Sequence, residues 1–227
     1  MADVTAQAEP RWSPRRLVVS ALALALCAAT FYTSGFGVFD EIIQRSMTVG
    51  ISALLVILAV PLVNIHKPRS AAVRGLLWGI DGLLIFAISL AIYWFLGVYG
   101  ELESGLYIFT PLDQAIGAGA IVVLLELSRR LFGLPLFIMA ILSIAYFLLG
   151  SHLPWIFTHA GFGTEQTLRT LWYSFDGVFG TPVMVVLSLI FIYIIFGVVL
   201  EGTGGTGILL KIAYSVTGAW RGGPGHA

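Results

Sequence analysis

Residues Leu76 to Val98 read LLWGIDGLLIFAISLAIYWFLGV, and this stretch decides the fold class. Asp81 is the only charged residue in it. An α-helix rises about 1.5 Å per residue, so roughly 20 apolar residues are enough to cross the about 30 Å of hydrocarbon in a bilayer. The stretch therefore predicts a membrane-spanning α-helix.

Similar apolar stretches lie on both sides of this one. They are Leu17 to Phe36, Ser46 to Ile65, Pro111 to Leu127, Leu131 to Leu149 and Val183 to Leu200. The stretch from Pro111 is the weakest, because Asp113 and Gln114 lie at its start and Glu126 lies near its end. The sequence as a whole predicts an all-α, polytopic membrane protein with about six transmembrane helices.

The overall composition agrees with a membrane protein. The chain is 58% hydrophobic and 11% charged, with a mean hydropathy of +0.95, whereas about 25% of the residues in a soluble domain are charged. The formal net charge is zero and the basic residues fall in small clusters, a pattern that argues against a nucleic-acid partner. Cys27 is the only cysteine, which excludes an intramolecular disulfide and a multi-cysteine metal site.

The basic residues predict the orientation, because Lys and Arg concentrate in short cytoplasmic loops. A six-span arrangement with a cytoplasmic N-terminus puts most of them on the cytoplasmic side. These are Arg11, Arg15, Arg16, Lys67, Arg69, Arg74, Arg129, Arg130, Lys211 and Arg221. Only Arg45 and Arg169 fall outside, and removing the weak span would place Arg129 and Arg130 on the wrong side. The pattern predicts a multi-pass protein of the cell inner membrane.

Asp81 is the most conspicuous polar residue inside a predicted span. A charge at the centre of a membrane helix costs about 2.5 to 3.5 kcal/mol, and less towards the interface. One interpretation is an interhelical hydrogen bond near the cytoplasmic face, with Arg74 or Trp78 as a candidate partner. The alternative is a role in coupling to an ion or a proton.

The other polar residues do not resemble a catalytic or metal site. Glu126 precedes Arg129 and Arg130 by three and four residues, which is the spacing of a helical ion pair. His152 and His159 lack the spacing of a helical metal pair. The chain has no H-E-x-x-H, G-x-S-x-G or Walker motif. We therefore expect no enzymatic activity, no metal and no cofactor.

The longest polar interval, Ser151 to Thr181, is predicted to face outward. Within it, Thr164 is positioned to cap a short amphipathic helix that runs to Phe175. The apolar face of this helix would consist of Leu168, Leu171, Trp172 and Phe175. Two interpretations are open: an interfacial helix lying on the bilayer, or a docking surface for an external partner.

Residues Gly202 to Gly207 read GTGGTG and precede the short apolar stretch from Ile208 to Val216. Although G-x-G-x-x-G is a dinucleotide-binding pattern, here a membrane helix precedes it and no acidic residue follows. A glycine-rich break before a helix too short to span indicates a discontinuous or re-entrant element.

Ordered signatures in the last part of the chain carry a family resemblance. They are Arg129-Arg130-x-x-Gly133-Leu134-Pro135, Tyr146 to Gly150, Leu153-Pro154, His159-x-Gly161, Gly177-Val178-Phe179-Gly180-Thr181-Pro182, Phe196-Gly197, Leu200-Glu201, Gly204-Gly205-Thr206-Gly207 and Gly218-Ala219-Trp220-Arg221-Gly222-Gly223-Pro224. Together they resemble the large membrane subunit of tripartite ATP-independent periplasmic (TRAP) transporters, in the form in which the small and large subunits are fused. The first four spans match the small-subunit region by position and hydropathy alone.

The resemblance implies a permease that takes up organic acids, of the dicarboxylate type or related, from a periplasmic solute-binding protein. Uptake would be symport with an ion, usually sodium, and would need no cofactor. Gly222, Gly223 and Pro224 match the entry of the family's first re-entrant hairpin. The family's ion-binding and substrate-binding residues lie mainly after this point, so no coupling residue is transferred to this chain.

The resemblance also implies a domain organisation. Residues 1–16 would form a cytoplasmic N-terminal segment, residues 17–128 a four-helix region like the small subunit, and residues 129–227 the start of the transport domain. Because the chain stops at the hairpin entry without a charged tail, we expect an N-terminal fragment of a longer permease that does not transport alone. The alternative is a structural or assembly membrane subunit without transport activity of its own.

Overall fold

The computed structural model describes residues 14–36, 40–68, 70–105, 107–152, 154 and 158–217. Within these residues all the regular secondary structure is helical, and there is no strand. The α-helices are α1 (Pro14–Phe36), α2 (Glu41–Ala59), α3 (Leu62–His66), α4 (Ala71–Glu103), α5 (Pro111–Phe132), α6 (Leu134–Leu149), α7 (Thr164–Trp172), α8 (Thr181–Val185), α9 (Phe191–Gly202) and α10 (Gly205–Thr217). A π-helix (Val186–Ile190) joins α8 to α9.

Five helical stretches in the described part of the chain are long and apolar enough to cross a membrane. They are Pro14–Thr33, Glu41–His66, Ala71–Glu103, Leu134–His152 and Thr181–Gly202. The all-α class and five of the six predicted spans thus have counterparts in the structure. The remaining prediction corresponds to α5, which is not among the five and carries Asp113, Glu126, Arg129 and Arg130.

The core of the protein lies where α4 packs against α2 and α5. Ile88 and Ala91 of α4 and Ala120 of α5 are fully buried there. Small side chains at such positions let two helix backbones approach closely. By contrast, α6 and α9 bury none of their described residues, so their apolar side chains remain available to lipid or to other membrane helices.

The second membrane stretch, Glu41–His66, is divided at Val60 and Pro61 into α2 and α3. Proline has no backbone N–H and cannot continue the hydrogen-bond ladder of a helix interior. Lys67 then ends α3 with a positive φ of 42°. Pro61 thus explains a helix break that hydropathy alone does not reveal.

The amphipathic helix in the outer interval is present but differs from the prediction. It runs from Thr164 to Trp172 and not to Phe175, and Thr164 is its first residue; the cap residue is Gly163, without a side-chain hydrogen bond. Leu168 and Trp172 are buried, and α7 packs against α5. The apolar face of α7 therefore contacts protein.

The last described segment contains a π-helical turn and one break. The π-helix lies inside the predicted span Val183 to Leu200, and Gly204, with a φ of 75°, separates α9 from α10. A positive φ is accessible to glycine because it lacks a Cβ atom. The predicted break within Gly202 to Gly207 is confirmed, and the short apolar stretch that follows it is helical.

Candidate functional site

Asp81 forms a buried ion pair with Arg130. The distance from Arg130 Nη2 to Asp81 Oδ1 is 2.8 Å, and the two side chains are 0% and 3% exposed, respectively. The expectation of an interhelical partner is confirmed, but the partner is Arg130 of α5 and not Arg74 or Trp78. Both of those candidates lie on α4 itself, within two turns of Asp81, whereas Arg130 reaches it from the neighbouring helix.

Glu126 extends this ion pair into a cluster of four charges. Its carboxylate accepts hydrogen bonds from Arg129 Nε at 2.7 Å, Arg129 Nη2 at 2.8 Å and Arg130 Nε at 3.0 Å. The predicted helical ion pair is therefore confirmed. Two arginines and two carboxylates cancel, so the cluster has no excess charge to attract an ion, which favours the structural interpretation of Asp81 over ion coupling.

The same cluster holds the break between α2 and α3. Asp81 Oδ2 accepts a hydrogen bond from the backbone N–H of Leu62 at 3.0 Å, and Arg130 Nη1 donates to the carbonyl of Val60 at 3.3 Å. A helix break exposes backbone groups that need partners wherever water is excluded. Asp81 and Arg130 supply those partners on both sides of Pro61.

Arg15 of α1 makes similar contacts with the end of α2. Its Nε donates to the carbonyl of Leu58 at 2.5 Å, and its Nη2 donates to the carbonyl of Ala59 at 3.0 Å. The C-terminal end of a helix carries a partial negative charge, which a cation stabilises. Arg15 thus fixes the start of α1 beside the end of α2.

A second buried polar cluster lies at the opposite ends of α4 and α5. Asp113 is fully buried and accepts hydrogen bonds from Trp94 Nε1 at 2.6 Å, Tyr107 Oη at 2.8 Å, and Thr110 N and Oγ1 at 2.7 and 2.6 Å. Thr110 Oγ1 in turn accepts from the N–H of Asp113, which completes a capping box. Burial is the main cause, and the hydrogen bond to Asp113 the second cause, that raises the pKa of Tyr107 to about 12.

The sequence carries a local signal for this cluster. Thr110 precedes Asp113 by three residues, with Pro111 between them, and this is the pattern of a capped helix start. By hydropathy alone, Asp113 only weakens the predicted span. The contribution of Trp94 could not be predicted, since it comes from another helix.

Tyr173 joins α5 to the segment after α7. Its hydroxyl donates to the backbone carbonyl of Asp113 at 2.9 Å, and its ring makes edge contacts with Phe95 and Phe109. A Cβ atom at Gly117 of α5 would lie 2.9 Å from Tyr173 Cε2. The absence of a side chain at Gly117 therefore allows the ring of Tyr173 to lie directly on α5.

Replacing Gly117 by alanine should destabilise the protein, because the new methyl group collides with a ring that is held on both sides. Overpacking of this kind costs about 1 to 3 kcal/mol, more than the roughly 1 kcal/mol that alanine gains over glycine in a helix interior. Gly119→Ala is the matched control, since a Cβ atom there has nothing within 4 Å. Thermal unfolding in detergent should show a lower midpoint for Gly117→Ala than for Gly119→Ala, and equal midpoints would contradict the packing argument.

Arg45 connects α2 with the segment that precedes and begins α8. Its side chain is 8% exposed. The guanidinium donates to the carbonyl of Phe179 at 2.9 Å, pairs with Glu41, and lies 3.3 Å from Met184 Sδ. It also lies 4.6 Å from the centroid of the Phe175 ring, within the range of a cation–π contact. Hydropathy assigned Arg45 only to an outer loop.

Several signature residues of the family resemblance form one turn after α6. Gly161 N donates to His159 Nδ1 at 3.0 Å, so Nε2 carries the imidazole proton and donates to the carbonyl of Tyr146 at 2.9 Å. Gly161 has a φ of 71°, and a Cβ atom at Gly150 would collide with the imidazole. Both ring nitrogens of His159 are thus used to hold the turn.

The predicted hairpin residues Gly222, Gly223 and Pro224 lie outside the described residues, as does everything after Thr217. The described residues contain no cluster of three or more His, Cys, Asp or Glu side chains that could hold a metal ion. The polar clusters of the described chain therefore hold helices together, with one at each end of the pair formed by α4 and α5.

Comparisons of the chain with protein families, with curated proteins and with solved structures gave no match.

Proposed function

We propose that this chain is a membrane component of a TRAP-type permease, an ion-driven secondary transporter of organic acids in the cell inner membrane. The observation that carries the proposal is the break at Gly204 in its last described segment, which follows the π-helical turn at Val186–Ile190. Discontinuous helices near substrate and ion sites are typical of secondary transporters, and π-helical turns are frequent at functional sites. The order of the signature residues supports the same family.

A difference in packing between two parts of the chain also supports the proposal. Buried polar clusters hold α2, α4 and α5 together at both ends, around Asp81 and around Asp113. In the described part of residues 181–217, by contrast, Leu187 is the only buried residue. Alternating access needs one part of a transporter to move against another. The firmly packed helices fit a scaffold, which would extend beyond residue 128 to include Arg129 and Arg130 at the end of α5, and the loosely packed segment from residue 181 fits the beginning of a moving domain.

The proposed topology has six spans and a cytoplasmic N-terminus. Ion pairing joins Asp81 to Arg130, and a hydrogen bond joins Trp94 to Asp113, so α5 runs antiparallel to α4. From Asp81 to Trp94, α4 rises by roughly 20 Å, a large part of the about 30 Å hydrocarbon thickness. We therefore propose that α5 also spans the membrane, as the fourth of six spans in chain order, with its charged residues sheltered by neighbouring helices.

The proposed partners are a periplasmic solute-binding protein and the organic acid that it delivers. The polar face of α7 remains exposed at Glu165, Gln166 and Arg169 while its apolar face packs on the protein. This arrangement suits a docking surface better than a helix embedded in lipid. The sodium-binding and substrate-binding residues of the complete permease would lie mainly beyond the described segment, after the hairpin entry at Gly222, Gly223 and Pro224.

The proposal is tested in the cells that produce the protein. Deleting its coding region should abolish sodium-dependent uptake of one member of a panel of labelled organic acids, and the wild-type gene should restore it. Deletion of the gene for the binding protein should remove uptake of the same acid. Unchanged uptake of every acid in the panel would reject the transport function.

The alternative is a structural or assembly subunit, and the polar clusters that hold the bundle together give it some support. It predicts a different result from the same deletion. A partner membrane complex would disappear from detergent extracts, while the uptake of organic acids that does not depend on that complex would stay unchanged. Blue-native electrophoresis of the extracts, run beside the uptake assay, separates the two functions.

A further inference from the structure

A groove with a polar end and an apolar end runs between α1, α2 and the π-helix. Two cavities of about 330 and 350 Å³ form it, and they share Thr33, Gln44 and Leu187 as lining residues. The first cavity is also lined by Glu41 and Arg45. The surface of the second cavity is almost entirely apolar and comes mainly from α1 and α2, so the groove is amphipathic along its length.

The polar end of the groove presents a carboxylate in front of a guanidinium. The side chain of Glu41 is 55% exposed, whereas that of Arg45, with which it pairs, is 8% exposed. The two charges cancel, and the accessible one is negative. A headgroup that carries an ammonium together with a phosphate matches this arrangement, while a headgroup with only negative charge would meet the carboxylate of Glu41.

The dimensions of the groove match one leaflet of a bilayer. Its lining along α2 extends from Glu41 to Ile51, a rise of about 15 Å, which is half of the about 30 Å hydrocarbon thickness. Ile43 and Met47 line the apolar cavity and are 46% and 45% exposed. The groove therefore opens sideways, between apolar side chains, and not only at its polar end.

We propose that this groove binds one phospholipid of the ethanolamine class, with its ammonium at Glu41 and an acyl chain between α1 and α2. The lipid would fill the space that separates these helices from the π-helix and would thereby join the firmly packed bundle to the loosely packed segment. The inference requires only that α1 and α2 lie in a bilayer, and it does not depend on transport.

Native mass spectrometry of the full chain, purified in detergent, tests the proposal with equal amounts of phosphatidylethanolamine and phosphatidylglycerol. Phosphatidylethanolamine should give the more abundant one-lipid complex. Replacing Ala29, an exposed residue that lines the apolar cavity, by tryptophan should remove most of this complex. Ala28→Trp is the matched control, because Ala28 is also exposed and lines neither cavity.

The headgroup is tested separately with Glu41→Gln. Loss of the carboxylate should shift the preference towards phosphatidylglycerol by about fivefold, as expected for one half-exposed ion pair. Equal binding of the two lipids by the wild type would overturn the ethanolamine assignment. Equal loss of lipid in Ala28→Trp and Ala29→Trp, or no loss in either, would overturn the location in the groove. Circular dichroism of each variant verifies that its helices are intact.

Discussion

Replacing Arg130 by glutamine should lower the free energy of unfolding by about 3 to 5 kcal/mol, because it leaves a buried carboxylate without its charge partner. The side chain of Asp81 is only 3% exposed, so water cannot solvate its carboxylate in place of the lost arginine. The substitution also removes the donor to the carbonyl of Val60, so the break between α2 and α3 loses part of its support. Chemical unfolding of the purified chain in detergent measures the change.

Arg129→Gln is the matched control for this substitution. Arg129 lies on the same helix, also pairs with Glu126, and has a side chain that is 29% exposed. Exposed ion pairs contribute about 0 to 1 kcal/mol, so this variant should stay close to the wild type. A second variant, Arg130→Gln combined with Asp81→Asn, removes both buried charges and should recover part of the lost stability. Equal losses for Arg129→Gln and Arg130→Gln would show that burial does not govern this cluster.

Replacing Asp113 by alanine should cost about 1 to 3 kcal/mol, since it removes a buried acceptor that serves several partly buried donors at once. Each buried polar group left unsatisfied costs about 1 to 3 kcal/mol. The carboxylate serves Trp94, Tyr107 and Thr110 and also completes the cap of α5. Loss of the acceptor leaves the partly buried indole N–H of Trp94 without its carboxylate partner, so tryptophan fluorescence should change along with the unfolding midpoint.

Two variants separate the contributions within this cluster. Asp113→Asn keeps one acceptor oxygen and the shape of the side chain, and should lose less stability than Asp113→Ala. Trp94→Phe removes one donor and leaves the capping box of Thr110 and Asp113 intact, so it should also be milder than Asp113→Ala. If Trp94→Phe is as damaging as Asp113→Ala, the stability of the cluster depends on the packing of the indole and not on the carboxylate.

The helical class and most of the helix positions could be predicted because they follow from local composition. A long apolar stretch in a bilayer satisfies its own backbone only by forming a helix, so Leu76 to Val98 specifies its structure without reference to the rest of the chain. The break at Gly204 was also predictable from local composition, because the glycine-rich sequence GTGGTG allows a positive φ. Glu126 found its predicted partners Arg129 and Arg130 because helical spacing alone brings them together.

The contacts that join different helices could not be predicted from the same signals. The pairing of Asp81 with Arg130 depends on how far α5 slides along α4, and no local pattern determines that distance. The contact of Arg45 with the carbonyl of Phe179 depends on where the chain returns after α7. The packing of the apolar face of α7 on α5 could not be predicted either, because periodicity shows that a face is buried but does not show what covers it.

The expected hairpin entry at Gly222, Gly223 and Pro224 stays a prediction. The described residues give a physical reason for several signature positions of the family resemblance. Gly161 has the positive φ of a tight turn, and Gly150 leaves room for the imidazole of His159. These residues shape the backbone, and their spacing alone does not reveal a transported molecule.

The ion pair between Asp81 and Arg130 also bears on how the protein enters its membrane during synthesis. The ribosome makes α4 first, so Asp81 reaches the translocon before its partner exists, and α5 then arrives with charged residues that disfavour insertion by itself. Each helix neutralises the other only when they lie side by side as a hairpin. In the proposed topology, in which α5 also spans, insertion of the two helices as a unit avoids exposing either charge to lipid, and α4 should therefore wait beside the translocon until α5 has been made.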